Sequence, residues 1–181
     1  DYMLAAGTAT ISAGQTSTTI PFSVINDDID EPNETIGIQL SSPVHAVIGS
    51  NTSTLYTIID NDTAGVTMAE SSGSTAVTEG GATDSFTVVL TSQPTSTVQV
   101  VFSTSTNGLT LSTSTLTFTA STWSDAQTVT VTATNDSVYE STHTTSVAPT
   151  ISTTAYGYDV LSVTPFTVTI TDNESSDITL S

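Results

Sequence analysis

Apolar and hydroxyl-bearing residues alternate along most of this chain, and a side-chain period of two belongs to half-buried β-strands rather than helices. The run 128–134 (TVTVTAT) shows it most cleanly, with Val129, Val131 and Ala133 on one face and the threonines on the other. The same alternation predicts strands over Thr18–Val24, Thr35–Leu40, Leu55–Ile59, Asp84–Leu90, Val98–Ser103, Thr115–Thr119, Gln127–Ala133 and Pro165–Ile170. Valine, isoleucine and threonine suit a pleated surface, and threonine suits either face of it. Turns rich in Gly, Asn, Asp and Ser separate these short segments, so the expected fold is an all-β sandwich. Acidic chains are often disordered, but 36% hydrophobic residues over 181 positions leave enough apolar surface for a core.

The chain also repeats. TIIDNDTAGVTMA at 57–69 realigns on TITDNESSDITLS at 169–181, an offset of 169 − 57 = 112 residues. Self-similarity at one period marks tandem units. In this frame residues 63–174 form one complete unit. Residues 1–62 match only its second half, since GTATISAGQTSTTIPFSVINDDIDEPNET parallels STLTFTASTWSDAQTVTVTATNDSVYEST, and 175–181 read as the first strand of a third unit. By comparison with 63–107, the half-unit lacks roughly 45 residues, which leaves a sheet edge and an apolar face bare. Completion by sequence upstream of Asp1 is the favoured expectation. Donation of the strand Asp177–Leu180 by a neighbouring subunit is the alternative, because β-augmentation needs a free edge and a free strand.

Charge narrows the function. Asp and Glu number 18, Lys and Arg none, and the net charge is −18. Nucleic acids and anionic membranes need cationic side chains, so neither is an expected partner. No run approaches the length of a spanning helix. The opening DYMLAAGTAT lacks the features of a signal peptide, which places any export signal outside this sequence. There is no cysteine, hence no disulfide framework. The acids are grouped: Asp27, Asp28, Asp30, Glu31 and Glu34 share one turn, Asp60 and Asp62 close the strand before the second unit, and Asp1 heads the chain. Two like charges about 4 Å apart repel by about 4 kcal/mol at an effective dielectric of about 20. No Lys or Arg relieves that repulsion, whereas Ca²⁺ does so with about six to eight oxygen ligands from flexible loops. Mg²⁺ demands a stricter octahedron, and Zn²⁺ would want cysteine or histidine, of which there are only His45 and His143.

Three segments, DY at 1–2, INDDIDEPNET at 25–35 and IIDNDTAG at 58–65, together resemble the Calx-beta family, immunoglobulin-like sandwiches that bind Ca²⁺ at one end. The resemblance covers nearly the whole chain and implies tandem Greek-key β-sandwiches. It implies a first ligand set of Asp1, Asp27, Glu31, Glu34, Asp60 and Asp62, with Asn26 and Asn61 where acids are common and an early Glu missing with the absent half. The second unit, VTEGGATDSFTVVLTSQP through VTITDNE, resembles a Calx-beta relative of very long bacterial surface proteins. Its implied ligands are Glu79, Asp136, Glu140, Asp172 and Glu174. There Asn135 replaces an acid, His143 falls at the place of Glu34 and Gly108 at the place of Asp1, so fewer or weaker ions are expected. Asp84, Asp125 and Asp159 stand alone and read as solvated carboxylates.

An enzyme is not expected. Neither histidine sits in a nucleophile pattern, and the short loops offer no cleft for paired carboxylates. Trp123 reads as a plug at the end of a sandwich or, less simply, a sugar platform, and Tyr156 and Tyr158 share that ambiguity. The T-x-T runs lack the short stacked repeat of an ice-binding solenoid. Sequons at Asn33, Asn51, Asn61, Asn135 and Asn173 read as turn chemistry. The expected role is structural: a Ca²⁺-stiffened segment of a large secreted or surface protein, an adhesin or filament, whose partners are neighbouring repeats or identical subunits. The competing expectation is an adhesion module that binds a surface glycan or protein.

Overall fold

Alternation becomes a strand in this molecule wherever the chain also supplies a ladder partner, and fails where it does not. The computed structural model describes residues 1–4, 7–106 and 108–176, so the strand expected at Asp177–Leu180 lies outside the described residues. In chain order the strands are β1 Tyr2–Met3, β2 Ser23–Val24, β3 Glu34–Gln39, β4 Ser53–Ile58, β5 Val66–Glu70, β6 Thr75–Thr78 and β7 Asp84–Leu90. They continue with β8 Val98–Thr104, β9 Leu109–Leu111, β10 Thr115–Phe118, β11 Gln127–Ala133, β12 His143–Ser152 and β13 Phe166–Thr171.

Strands β5 to β13 build a sandwich of two sheets, ordered β10-β8-β12-β13-β6 and β5-β7-β11-β9. The apolar face of each alternating strand points inward: Phe86, Val88 and Leu90 with Val129, Val131 and Ala133 from one sheet, Val98, Val100, Phe102, Val147, Val168 and Ile170 from the other. Phe86 meets Phe102 edge-on at 5.3 Å and Phe166 at 4.9 Å between ring centres, which ties the sheets across the core. Trp123 is half-buried against this core and its carbonyl accepts the Leu90 N–H at 3.1 Å, the plug reading. Tyr158 is fully buried while Tyr156 stays exposed.

The start of the sandwich changes sheets. β5 pairs antiparallel with β7, and β6 crosses to pair parallel with β13. The crossing is a single 3-10 turn, Ser71–Gly73, with Ser72 at φ 56 and Gly73 at φ 81. Asp84 holds it, accepting hydrogen bonds from the Ser71 hydroxyl, the Ala76 N–H at 2.9 Å and the Ser85 N–H at 2.7 Å. The Ser71 hydroxyl above all, and then the two N–H groups, hold this carboxyl below its usual range against the opposing effect of burial. Asp84 is therefore a structural latch and not the solvated carboxylate that its isolation in sequence suggests.

Residues 1–62 repeat part of this plan. β1 pairs β2 with Tyr2 opposite Val24, and β3 pairs β4 with Glu34 opposite Ile58. The complete unit shows the same registers, Leu109 opposite Ala133 and His143 opposite Ile170. The described residues of the first 62 thus supply counterparts of β9, β11, β12 and β13 and none of β5 to β8. This corrects the strand expected at Thr18–Val24, which shrinks to Ser23–Val24. In the complete unit residues 127–131 are held by β7 and 131–133 by β9. Without a counterpart of β7, residues 18–22 have no ladder to join. The bare face follows from the same deficit, with Leu55 75% and Val24 52% exposed and, in β3, only Ile36 buried.

Candidate metal centre

The turn between β2 and β3 and the residues after β4 surround a pocket of about 50 Å³. Asp1, Asp27, Glu31, Glu34, Asp60 and Asp62 all line it, with Asn26 and Asn61. Backbone bonds to side chains shape the turn. The Ile29 N–H donates to Asp27 Oδ1 at 3.1 Å, the Glu31 N–H to Asp60 Oδ2 at 3.2 Å, and the Asp60 N–H to Asn33 Oδ1 at 2.9 Å. Asp1 is brought in by its carbonyl, which accepts the Ile25 N–H at 2.8 Å. Burial first, then repulsion from Asp60, Asp28, Asp27 and Asp30, pushes the Asp62 carboxyl above its ordinary range.

The remaining acids of this turn, Asp28 and Asp30, meet the next unit instead. The Asp28 carbonyl accepts the Gln93 N–H at 2.6 Å from the β7–β8 loop. A Cβ on Gly157, in the β12–β13 loop, would lie 2.0 Å from Asp30 Oδ2 and 2.7 Å from the Ala64 Cβ. Gly157 also has φ +74, a conformation that glycine adopts without penalty. Buried Tyr158 rivets the two loops together: its hydroxyl donates to the Ser92 carbonyl at 2.7 Å and accepts the Ser92 N–H at 3.1 Å. Sequence reading missed Gln93, Asp30 and Gly157 as a seam. The one signal was a glycine between two tyrosines.

At the other end of the complete unit the same backbone pattern recurs. The Val138 N–H donates to Asp136 Oδ1 at 2.7 Å and the Glu140 N–H to Asp172 Oδ2 at 2.6 Å. The Thr134 N–H donates to the Gly108 carbonyl at 3.0 Å, as Ile25 does to Asp1. Asp27, Glu31 and Asp60 thereby correspond to Asp136, Glu140 and Asp172, and Asp1 to Gly108. Among the described residues, Glu79, Asp172 and Glu174 form the one trio whose ligand atoms all lie within 4.8 Å of one another. Asp136 adjoins them, its N–H 3.5 Å from Glu79 Oε2. Glu140 contributes its N–H, while its side chain faces His143, Oε2 to Nε2 3.8 Å. An amide pair closes the rim, Asn173 Nδ2 donating to Asn135 Oδ1 at 2.8 Å.

The electrostatics of this trio are lopsided. The Glu174 N–H above all, with the Glu140 and Ser141 N–H groups and the Glu174 side chain adding to it, holds Asp172 down at about 2. Its hydrogen bond to Asp172, then burial and the neighbouring acids, pushes Glu174 up. Glu174 Oε2 is buried with no hydrogen-bond partner, and Glu79 is only 4% exposed. A buried carboxylate oxygen without a donor, beside three other acids, is the environment that a hard oxygen-binding cation completes.

A family model of the Calx-beta domain matches residues 1–62 and again 60–174. The chain belongs to the Calx-beta family. The two matches overlap at 60–62, the acidic triplet that lines the first pocket. Among solved structures the chain is similar to the apo form of the Calx CBD1 domain, at 18% identity and TM-score 0.40, covering 60% of this chain and 98% of that one. It is also similar to the calcium binding domain CBD12 of CALX1.1, at 19% identity and TM-score 0.41, covering 59% of this chain and 44% of that one. The D00-D0 domain of Intimin aligns over 86% of this chain and 91% of its own at 14% identity, TM-score 0.38. No characterised protein matches the chain by sequence. Among the described residues no helix is long and apolar enough to cross a membrane.

Proposed function

We propose that this Calx-beta chain is a calcium-binding structural segment of a large extracellular or surface protein, in which the ion sets the joint between successive sandwiches. One observation carries the reading: six acidic residues line one pocket in a chain without a single Lys or Arg, and the back of the same turn lies against the next unit. Without a cation these acids repel and splay the turn, and the contacts of Asp28 with Gln93 and Asp30 with Gly157 loosen with it. With Ca²⁺ the turn closes and the units align. Asp1, Asp27, Glu31, Glu34, Asp60 and Asp62 would hold ions at the joint, and Glu79, Asp136, Asp172 and Glu174 at the far end. The surrounding medium controls such a joint, since extracellular Ca²⁺ modules bind at about 10⁻⁴–10⁻³ M.

Thermal unfolding with Ca²⁺ and with a chelator tests this. Ligand linkage adds about 2.7 kcal/mol when free ion stands at 100 times the dissociation constant. Chelation should therefore lower the melting temperature, and Mg²⁺ should restore less than Ca²⁺ does. Equal melting with and without chelator would leave the acidic turns as plain surface and end the reading.

A further inference from the structure

The two acidic turns align residue for residue, because Asp27 and Glu31 correspond to Asp136 and Glu140 by their hydrogen bonds, with three residues between them in each case. Ile29 and Asp30, half-buried at the first joint, therefore correspond to Val138 and Tyr139. Those two side chains are 60% and 51% exposed, an adjacent apolar pair at the tip of a turn in an otherwise polar end of the sandwich. The opposite end of the same unit is apolar in a matching way. Tyr156 and Val160 flank Gly157 on the β12–β13 loop and are themselves exposed.

We infer that Val138 and Tyr139 form a docking tip for a following sandwich of the same kind, seated on its counterpart of the Gly157 loop. The first joint of this molecule supplies the pattern: the tip of the acidic turn lies over a glycine that has no room for a side chain. At the second joint an aromatic ring replaces the Asp30 carboxylate over that glycine backbone, and Val138 meets the Tyr156 and Val160 rim. Aromatic residues bring large apolar area at an interface, so this joint holds by packing where the first holds by charge. Exposed apolar residues scattered singly need no partner. A pair placed at the position that makes the contact in the preceding unit does.

The inference rests on the tandem-spacer reading and is tested apart from it. A chain of residues 1–174 followed directly by a second copy of 63–174 recreates the register in which 63 follows the first acidic triplet. Tyr139→Phe in the added copy and Tyr156→Phe in the first leave one Tyr139 and one Tyr156 to read, each at the new joint. Nitration of tyrosines by tetranitromethane, read residue by residue by mass spectrometry, compares this extended chain with the original. Tyr139 nitration should fall roughly tenfold on extension, as a docked state holding about nine-tenths of the population requires. Tyr2 and Tyr56, which belong to the first unit and not to the new joint, should react alike in both chains. Tyr139→Ser in the extended chain should return the added copy's Tyr156 to full reactivity and widen the solution scattering profile. Equal Tyr139 reactivity in both chains overturns the inference. So does self-association of the original chain that Tyr139→Ser abolishes, which would seat a second molecule on this face. Melting that ignores chelation would sink the calcium reading alone, leaving Tyr139 protection as a separate result.

Discussion

The two acidic ends share one backbone template and differ in what surrounds it. At the first, six acidic residues line an open pocket. At the second, three carboxylates converge within 4.8 Å, a buried Glu79 among them. The difference traces to strands and not to the turns themselves. Glu79 follows β6, and the described residues of 1–62 contain no counterpart of β6, so the first turn has no buried carboxylate of that kind to draw its members inward. The second end has its Glu but lacks two peripheral acids, with Gly108 in the place of Asp1 and His143 in the place of Glu34. Compactness at one end and carboxylate number at the other are therefore separate properties, each contributed by a different half of the fold.

Substitutions at matched positions sharpen this contrast. The largest effect belongs to the core. Ile170 and Ile58 occupy the same register position, but Ile170 is fully buried and Ile58 is not. Ile170→Ala should cost about 2–5 kcal/mol in urea unfolding. Ile58→Ala should cost under about 1 kcal/mol. Similar costs would mean that the half-unit has a core of its own. Asp84 comes next, a latch with no partner position in residues 1–62. Asp84→Ala should cost about 1.5–3 kcal/mol, the range for hydrogen bonds to a charged group. Its carboxyl is held low in the fold, so its contribution is complete above the ordinary aspartate pKa of about 3.9 and is lost as pH falls through the folded value. The variant should flatten the stability curve in that acid window.

At the joint, Gly157→Ala forces a left-handed backbone on alanine, costing about 1–2 kcal/mol, and displaces Asp30. Small-angle scattering should show a broader spread of inter-unit distances while the second end binds Ca²⁺ as before. An unchanged profile would place the seam elsewhere. The smallest effect has two signs. Glu79→Gln removes a charge from a crowded trio, so without Ca²⁺ it should raise the melting temperature by about 1–3 °C, the size of a few tenths of a kcal/mol. With Ca²⁺ it should lower it, and calorimetric titration should lose the far-end ion.

The sandwich was legible because its central strands alternate cleanly, and the limits of β7 and β11 coincide with the alternating segments Asp84–Leu90 and Gln127–Ala133. β12 was not, since Thr145 and Pro149 take inward positions where apolar side chains would have announced a strand. Thr145 is satisfied there by the hydroxyls of Ser105 and Thr106, both at 2.9 Å. Pro149 is tolerated because the pairing of β12 with β13 ends at Val147 and leaves it one neighbour, β8. The strand expected from Gly65 or Val66 is β5, whereas β6 escaped notice because a four-residue strand set off by a 3-10 turn carries too few alternations to register. Acidic grouping named the residues around the first pocket, yet nothing local distinguished Asp30 from its neighbours. Its role depends on a loop more than 120 residues away.

The parallel pairing of β6 with β13 has a consequence under load. The chain enters the complete unit through β5 in the other sheet, crosses at the 3-10 turn into β6, and leaves through β13, which lies beside β6 and runs in the same direction. Once β5 has been drawn off β7, tension at the two ends pulls Thr75–Thr78 and Val168–Thr171 past each other lengthwise, so the bonds between them resist in shear together rather than peeling one at a time. A string of such units would yield to force late and abruptly, one sandwich after another.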